Sequence, residues 1–395
     1  MVSVAEAVSI IHSHHFKPHA EEVEITKCID RVLDEEILAD RDFPPFDRVA
    51  MDGIAIQFAS FESGCAEFKV EGIAAAGQPQ SALAEQTSCI EVMTGSSLPL
   101  NTDTVVRYED VAIENGHAVI KSSKLVKGQN IHAQASDARQ SDTLLTPGTV
   151  LSPIEVALIA TIGKPRVKVK SLPSFAIIST GDELVDIHET PHKHQIRRSN
   201  SYTLQAALQA LNCKSTLHHL PDNKEKLSQE LHKILDAHDV IILSGGVSKG
   251  KFDYVPEVLE QLGVEKHFHK VKQKPGKPFW FGSTQDKTVF ALPGNPVSTT
   301  VCFYKYIRQW IWQSLGVNAD VDVATLGVDF NFPAPLTYFL EVQVKNEGGR
   351  LIAYPKQGGG SGDFANLKEV NAFMELPEEV TSFKKGETYP IYLLR

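Results

Sequence analysis

The spacing of apolar and polar positions changes several times along the chain, and each change marks an element. At the amino end Val4, Ala7, Val8 and Ile11 recur at helical spacing behind Ser3, with Glu6 three residues on, so the pattern predicts a capped amphipathic helix. From about residue 42 to residue 130 the period shortens to that of strands. The runs "EFKVEGIAAAG", "CIEVMTG", "DTVVRYEDV" and "HAVIKSSKL", separated by Gly, Pro, Asn and Ser turns, predict a small β-rich domain. "LSPIEVALIATIGKP" then predicts a second helix: Ser152 and Glu155 form a capping box, Pro153 takes the first helical position, and Gly163 and Pro165 end it.

Between Ser174 and about Gly316 short apolar runs alternate with helical patterns. "SFAIIS", "STLHHL", "DVIILSG", "VEKHFHKV", "PFWFG" and "TVFALPG" read as strands, with helices beginning near Ser201, Asp222, Asp253 and Asn295. This predicts a multidomain α/β protein whose central domain is a doubly wound parallel sheet covered on both faces. From Val321 onward, "YFLEVQV", "LIAYP", "AFMEL" and "YPIYLL" alternate as strands do and predict a C-terminal β-barrel.

Ligands of doubly wound folds bind beyond the carboxyl ends of the strands, so the loops there are the candidates for chemistry. In "AIISTGDEL", Ser179, Thr180 and Gly181 offer hydroxyls and a small backbone, and Asp182 and Glu183 bring negative charge. In "LSGGVSKGKFDY", Ser244, Gly245, Gly246 and Ser248 present a phosphate-type cradle ahead of Asp253. In "ALPGNPVS", Gly294 and Asn295 feed a helix. Phosphates beside carboxylates need a cation between them. Mg²⁺ is the ion usually held by one or two carboxylates plus substrate phosphates, which points to Asp253 with Glu183 or Asp182. The competing reading of Asp253 and Asp222 is helix capping, and Glu225 stands at capping-box distance from Asp222.

The stretch "HKVKQKPGKPFWFG" places Lys270, Lys272, Lys274 and Lys277 in what reads as an extended segment, where alternation would turn them to one side toward a multiply charged anion. A solvated edge strand would also carry such lysines. In "PPFDRVAMDGIAI", Asp47 and Asp52 lie among apolar residues, so they either bond nearby backbone amides or face a ligand.

Composition narrows the class. With 42% apolar and 22% charged residues in 395, the chain reads as a soluble globular protein of several domains. A net charge of −10 argues against nucleic acid as partner. Five scattered cysteines without a C-x-x-C pair read as reduced thiols, and the 15 histidines lack metal spacing. No opening segment reads as a signal peptide, and no apolar run approaches the roughly 20 residues that span a bilayer, which predicts a cytoplasmic protein with no membrane partner.

"PPFDRVAMDG", "EVMTGSSLP", "IISTGDEL", "IRRSNS", "LSGGVSKGKFDY", "KPGKP" and "LPGNPVS", in this order, resemble the molybdopterin molybdenumtransferases, the family that includes the C-terminal domain of gephyrin. The resemblance implies a split N-terminal domain (residues 1–42 and 131–170), a β-rich second domain (43–130), a molybdopterin-binding α/β domain (171–317) and a C-terminal barrel (318–395). It implies insertion of molybdenum from molybdate into adenylylated molybdopterin with Mg²⁺, releasing AMP. It also implies a homodimer with the active site between subunits, and contact with molybdopterin adenylyltransferase and molybdoenzymes. The family's functional positions fall on Asp52, Thr94, Asp137, Glu183, Asp222, Asp253, Lys270, Lys274, Pro293 and Pro296, with Lys277 beside them.

The chain departs from the family's pattern in three regions. His132, Ala133 and Gln134 replace basic residues and Ser136 replaces a glutamate, while Arg198 stands where aspartate is usual and Lys249 and Lys251 add charge to the glycine loop. Either positive charge has moved across the crevice, or turnover or substrate differs. The competing functions are adenylylation of molybdopterin and a non-catalytic pterin-binding or scaffold role.

Overall fold

The computed structural model describes residues 1–221, 223–246, 254–318, 320–356 and 358–394. Its chain divides into two units, one of Met1–Val23, Lys27–Asp34 and Lys168–Arg395, the other of Glu24–Thr26 and Glu35–Val167. The first opens with helix α1, Val4–Ser13, where the Ser3 hydroxyl accepts from the Glu6 amide and the Glu6 carboxylate accepts from the Ser3 amide. Val4, Ala7 and Ile11 are buried on its inner face.

The second unit is built on a six-stranded sheet curled as a half-barrel. Its strands are β1 (Gly53–Ile56), β2 (Glu67–Ala74), β3 (Ser88–Val92), β4 (Thr104–Arg107), β5 (Val111–Glu114) and β6 (His117–Ile120), in the order β4-β1-β3-β2-β6-β5. Two cores cover it, one around Val49, Ile90 and Val105, the other around Ile54, Phe68 and Val106. Helix α2, Pro153–Thr161, carries the expected reciprocal cap between Ser152 and Glu155.

The rest of the first unit holds the central sheet. Strands β7 (Phe175–Thr180), β8 (Ser215–Leu220), β9 (Val240–Ser244), β10 (Glu265–His269), β11 (Trp280–Ser283) and β12 (Thr288–Leu292) run in the order β8-β7-β9-β12-β11-β10. The first four of that order are parallel, and β11 is antiparallel to both its neighbours. Helix α3 (Ser199–Gln209) links β7 to β8, and α4 (Lys224–Ala237) returns the chain to β9 on the other side of β7. The order therefore reverses at β7 and β9, which opens a crevice beyond their carboxyl ends. Helix α5 (Val255–Gln261) packs beside α4, where Leu227, Leu231, Val255 and Val258 are buried. Helix α6 (Pro296–Cys302) packs against α3, then runs through a π-helical stretch, Phe303–Ile307, into α7 (Arg308–Ser314). The cap of α4 is Asn223, whose side chain accepts from the Lys226 amide. Asp222, expected there, lies outside the described residues, as do Ser248, Lys249, Lys251 and Asp253.

The tail closes into a five-stranded barrel of β13 (Val323–Leu326), β14 (Thr337–Glu347), β15 (Arg350–Pro355), β16 (Ala372–Leu376) and β17 (Thr388–Leu393). Strand β14 pairs with β15 and β16, β13 with β15 and β17, and β16 with β17, so the ring has no free edge. Among the described residues no helix is long and apolar enough to cross a membrane. All five cysteines are free, and burial pushes the Cys89 and Cys213 thiols up to about 12, which leaves them un-ionised at neutral pH.

Candidate active site

A cavity of about 370 Å³ sits at the reversal of strand order, lined by Ser179, Thr180, Glu183, Arg198, Asn200, Ser201, Ser244, Gly245, Gly294, Asn295 and Pro296 among others. Strand ends place these residues together: β7 stops at Thr180, β9 at Ser244, and β12 at Leu292, just ahead of the Pro293–Asn295 turn. The turn after β9 requires glycine. Gly245 and Gly246 have φ of 102° and 70°, and a Cβ on Gly246 would come within 2.7 Å of Val255 and 3.0 Å of the Thr180 hydroxyl. Two hydroxyls in the lining, Thr180 Oγ1 and Ser201 Oγ, are buried and have no hydrogen-bond partner among the described residues.

The loops are tied by a residue that motif reading did not single out. Asn200 Nδ2 donates to Gly294 O at 2.7 Å, to Ser244 Oγ at 2.9 Å and to Thr299 Oγ1 at 3.2 Å. Thr299 Oγ1 donates in turn to Pro293 O at 2.7 Å. Asn200 and Ser201 stand in the quoted "IRRSNS", but no periodicity marked them.

A second cavity of about 600 Å³ is lined by Lys274, Lys277, Pro293, Asn295, Tyr338, Glu341 and Gly358–Ser361, and it shares Asn295 with the first. Asn295 Nδ2 donates to Ser361 Oγ at 2.8 Å, which fixes the glycine-rich turn of the barrel beside it. That turn was also missed by the sequence reading; its glycines were the available signal. The Lys274 ammonium lies 5.4 Å from the Phe332 ring centre and 5.7 Å from that of Tyr338.

The lysine row is not the single extended segment that alternation suggested. Lys270 adopts a φ of 81°, and its amide donates to Phe279 O. Val271 then bridges Val2, and Gln273–Lys274 pairs in parallel with Thr337–Tyr338 of the barrel. Three successive partners claim this backbone, so side-chain direction does not follow a period of two. Lys274 and Lys277 reach the cavity lining; Lys270, Gly181, Asp182 and Gly246 do not. Among the described residues no three His, Cys, Asp or Glu side chains gather as a metal site.

Asp52, Thr94 and Asp137 belong to the other unit. Asp47 and Asp52 are exposed, not buried among their apolar neighbours, because their carboxylates turn outward to nearby amides. Asp47 Oδ1 accepts from the Gln134 amide at 2.8 Å. Asp52 Oδ1 accepts from the Thr94 amide and hydroxyl, which hold its carboxyl below the usual range, the amide contributing most. Asp137 Oδ1 is bonded by His132 Nε2 at 2.7 Å and Ser136 Oγ at 3.1 Å, and the bond from His132 is the main cause that lowers its pKa. Arg48 Nη2 lies 2.9 Å from His132 Nδ1. Arginine can only donate, so Nδ1 accepts and the Nε2 proton faces Asp137. Two of the departures, His132 and Ser136, thus serve the carboxylate next to them.

Comparison with known proteins gives one consistent result along the chain. Residues 2–163 match the family model described as MoeA N-terminal region (domain I and II), 176–312 a probable molybdopterin binding domain, and 323–394 the MoeA C-terminal region (domain IV). A Synechocystis protein named molybdopterin molybdenumtransferase is 43% identical over 397 residues, covering 99% of this chain and 100% of its own. A Staphylococcus aureus protein of the same name is 29% identical, covering 99% and 95%. A crystal structure of a molybdopterin biosynthesis protein from Pyrococcus horikoshii superposes with a TM-score of 0.84 at 26% identity over the whole of both chains.

Proposed function

The chain belongs to the molybdopterin molybdenumtransferase family, and from that premise we propose that it transfers molybdenum from molybdate to adenylylated molybdopterin, releasing AMP. One observation carries the placement of this chemistry. Thr180 Oγ1 and Ser201 Oγ are buried donors, unpartnered among the described residues, in a glycine-walled cavity at the strand-order reversal, and phosphate oxygens are the acceptors that such donors suit. Ser179, Ser244, Gly245 and Gly294 line the same space, and Lys274 and Lys277 stand in the adjoining cavity, where a fixed cationic field suits molybdate.

The donor set also fits Mg²⁺. Glu183 and the Thr180 hydroxyl supply hard oxygen at the cavity, and an ion that keeps waters and substrate phosphates needs no larger protein cage. Bound there, Mg²⁺ would neutralise charge on the pyrophosphate linkage. The work left to the chain is positioning: Asn200 holds the loops in register, and the lysines stabilise charge on molybdate and on the leaving nucleotide.

The proposed assembly is a homodimer in which Asp52, Thr94 and Asp137 of one subunit complete the cavity of the other. Helix α2 supports it by leaving Ile154 and Leu158 on one face, 68% and 37% exposed. Light scattering should then give about 87 kDa, twice the 43.5 kDa chain.

The deciding experiment incubates purified protein with adenylylated molybdopterin, molybdate and Mg²⁺. AMP and metallated pterin should appear together. Absence of both would refute the assignment, and adenylylation of free molybdopterin from ATP in their place would make the chain an adenylyltransferase.

A further inference from the structure

We propose that Arg198 is a substrate-binding residue of this cavity, donating its Nε proton to a phosphate oxygen of the ligand while Asp186 holds the other edge of the guanidinium. The inference rests on the reading that the cavity takes a phosphorylated ligand, and it adds a residue at which this chain departs from the family's pattern.

The Arg198 side chain is only 12% exposed, and its Nη2 donates to Asp186 Oδ2. Its Nε is buried and has no partner among the described residues. Arginine has no acceptor and stays protonated, so this N–H cannot be silenced by a change of charge state. Asp186 does not take it: its Oδ1 accepts from the His188 amide at 3.2 Å, its Oδ2 from Nη2, and neither oxygen is bonded to Nε. Local backbone geometry fixes the pair: Leu184–Val185 runs parallel to Ile196–Arg197, and the Arg198 amide donates to Val185 O at 3.1 Å. The neighbouring Arg197 is committed elsewhere, with its Nε on Glu189 O at 3.1 Å.

Buried donors without partners are uncommon. Here three of them, Arg198 Nε, Thr180 Oγ1 and Ser201 Oγ, belong to residues that line one cavity. A cation could use the two hydroxyl oxygens but not the Nε proton. Only an acceptor satisfies all three, and an anionic oxygen accepts from several donors at once. Glu183, the carboxylate in the same lining, lies folded over Gly181, where an added Cβ would stand 2.5 to 2.8 Å from its carboxyl atoms.

The test is calorimetric titration with inorganic pyrophosphate. Arg198→Gln should weaken binding by about tenfold or more and Arg198→Lys should weaken it less, with both variants folded at the temperature of the titration. In turnover, KM for the adenylylated substrate should rise by a similar factor with kcat little changed, the split expected of a binding contact. Wild-type protein that does not bind pyrophosphate would overturn the phosphate reading of the cavity, and this inference with it. Wild-type binding left intact in Arg198→Gln would overturn the role of Arg198 alone. Should the glutamine variant not fold, Arg198→Lys decides in the same way, because it keeps the charge and lacks the Nε fork.

Discussion

Asp52 and Thr94, 42 residues apart, meet through a single carboxylate oxygen that accepts from the Thr94 amide at 2.6 Å and from its hydroxyl at 2.8 Å. Two residues carried over by resemblance as separate members of a site thus act as a unit, with Thr94 aiming the carboxylate. Thr94→Val keeps the amide bond and the shape but removes the hydroxyl. It should lower the rate of AMP release roughly 10-fold, the scale on which lost orientation is felt, while leaving the melting temperature unchanged. Thr94→Ser should restore the rate. The lowered pKa keeps Asp52 ionised at neutral pH in either case, so the defect should not depend on pH between about 6 and 8. A valine variant as fast as wild type would remove Thr94 from the site.

Asn200 offers a sharper structural test. Its carboxamide hydrogens serve three acceptors, at the end of β9, in the Pro293–Asn295 turn and on helix α6, so Asn200→Asp replaces a donor by an anion that faces lone pairs. The expected loss is about 1–3 kcal/mol, the cost of leaving such groups unsatisfied, together with weaker pyrophosphate binding as the loops separate. Chemical denaturation and calorimetry read the two effects independently. Unchanged stability would mean that the loops hold their places without this tie.

What could be read from the sequence was what is local. The reciprocal bonds of Ser3 with Glu6 and of Ser152 with Glu155 span three residues each, and the strands Phe175–Thr180 and Val240–Ser244 are buried along their whole length, so pattern alone marks them. The cavity was legible as far as it is built from strand ends. Asn200 was not, because its partners lie 44, 94 and 99 residues away and nothing periodic joins them. The lysine row misled for the opposite reason: its spacing looks like a strand, but Phe279, Val2 and Thr337 each claim part of its backbone. Glu341 was hidden inside "YFLEVQV", read as an alternating strand, whereas Thr337 to Val342 are all buried.

That burial gives Glu341 a measurable signature. Loss of water raises its pKa above the usual value, an effect opposed by the Gly358 amide, 3.4 Å from Oε2, and reinforced by the charge of Asp363. A carboxyl whose folded pKa exceeds its unfolded one, about 4.3, favours the folded state fully below that value and loses the advantage as pH rises through the folded pKa. At neutral pH the ionised form is therefore a liability that Glu341→Gln should relieve, since glutamine keeps an oxygen acceptor for Gly358 and carries no charge. The variant should melt higher than wild type at pH 7, with the difference shrinking as pH falls and vanishing below about pH 4. Glu341 also lines the cavity that holds Lys274 and Lys277. A glutamine variant that melts lower at pH 7 would show that the carboxylate is held there by those cations, and that its charge is a structural asset.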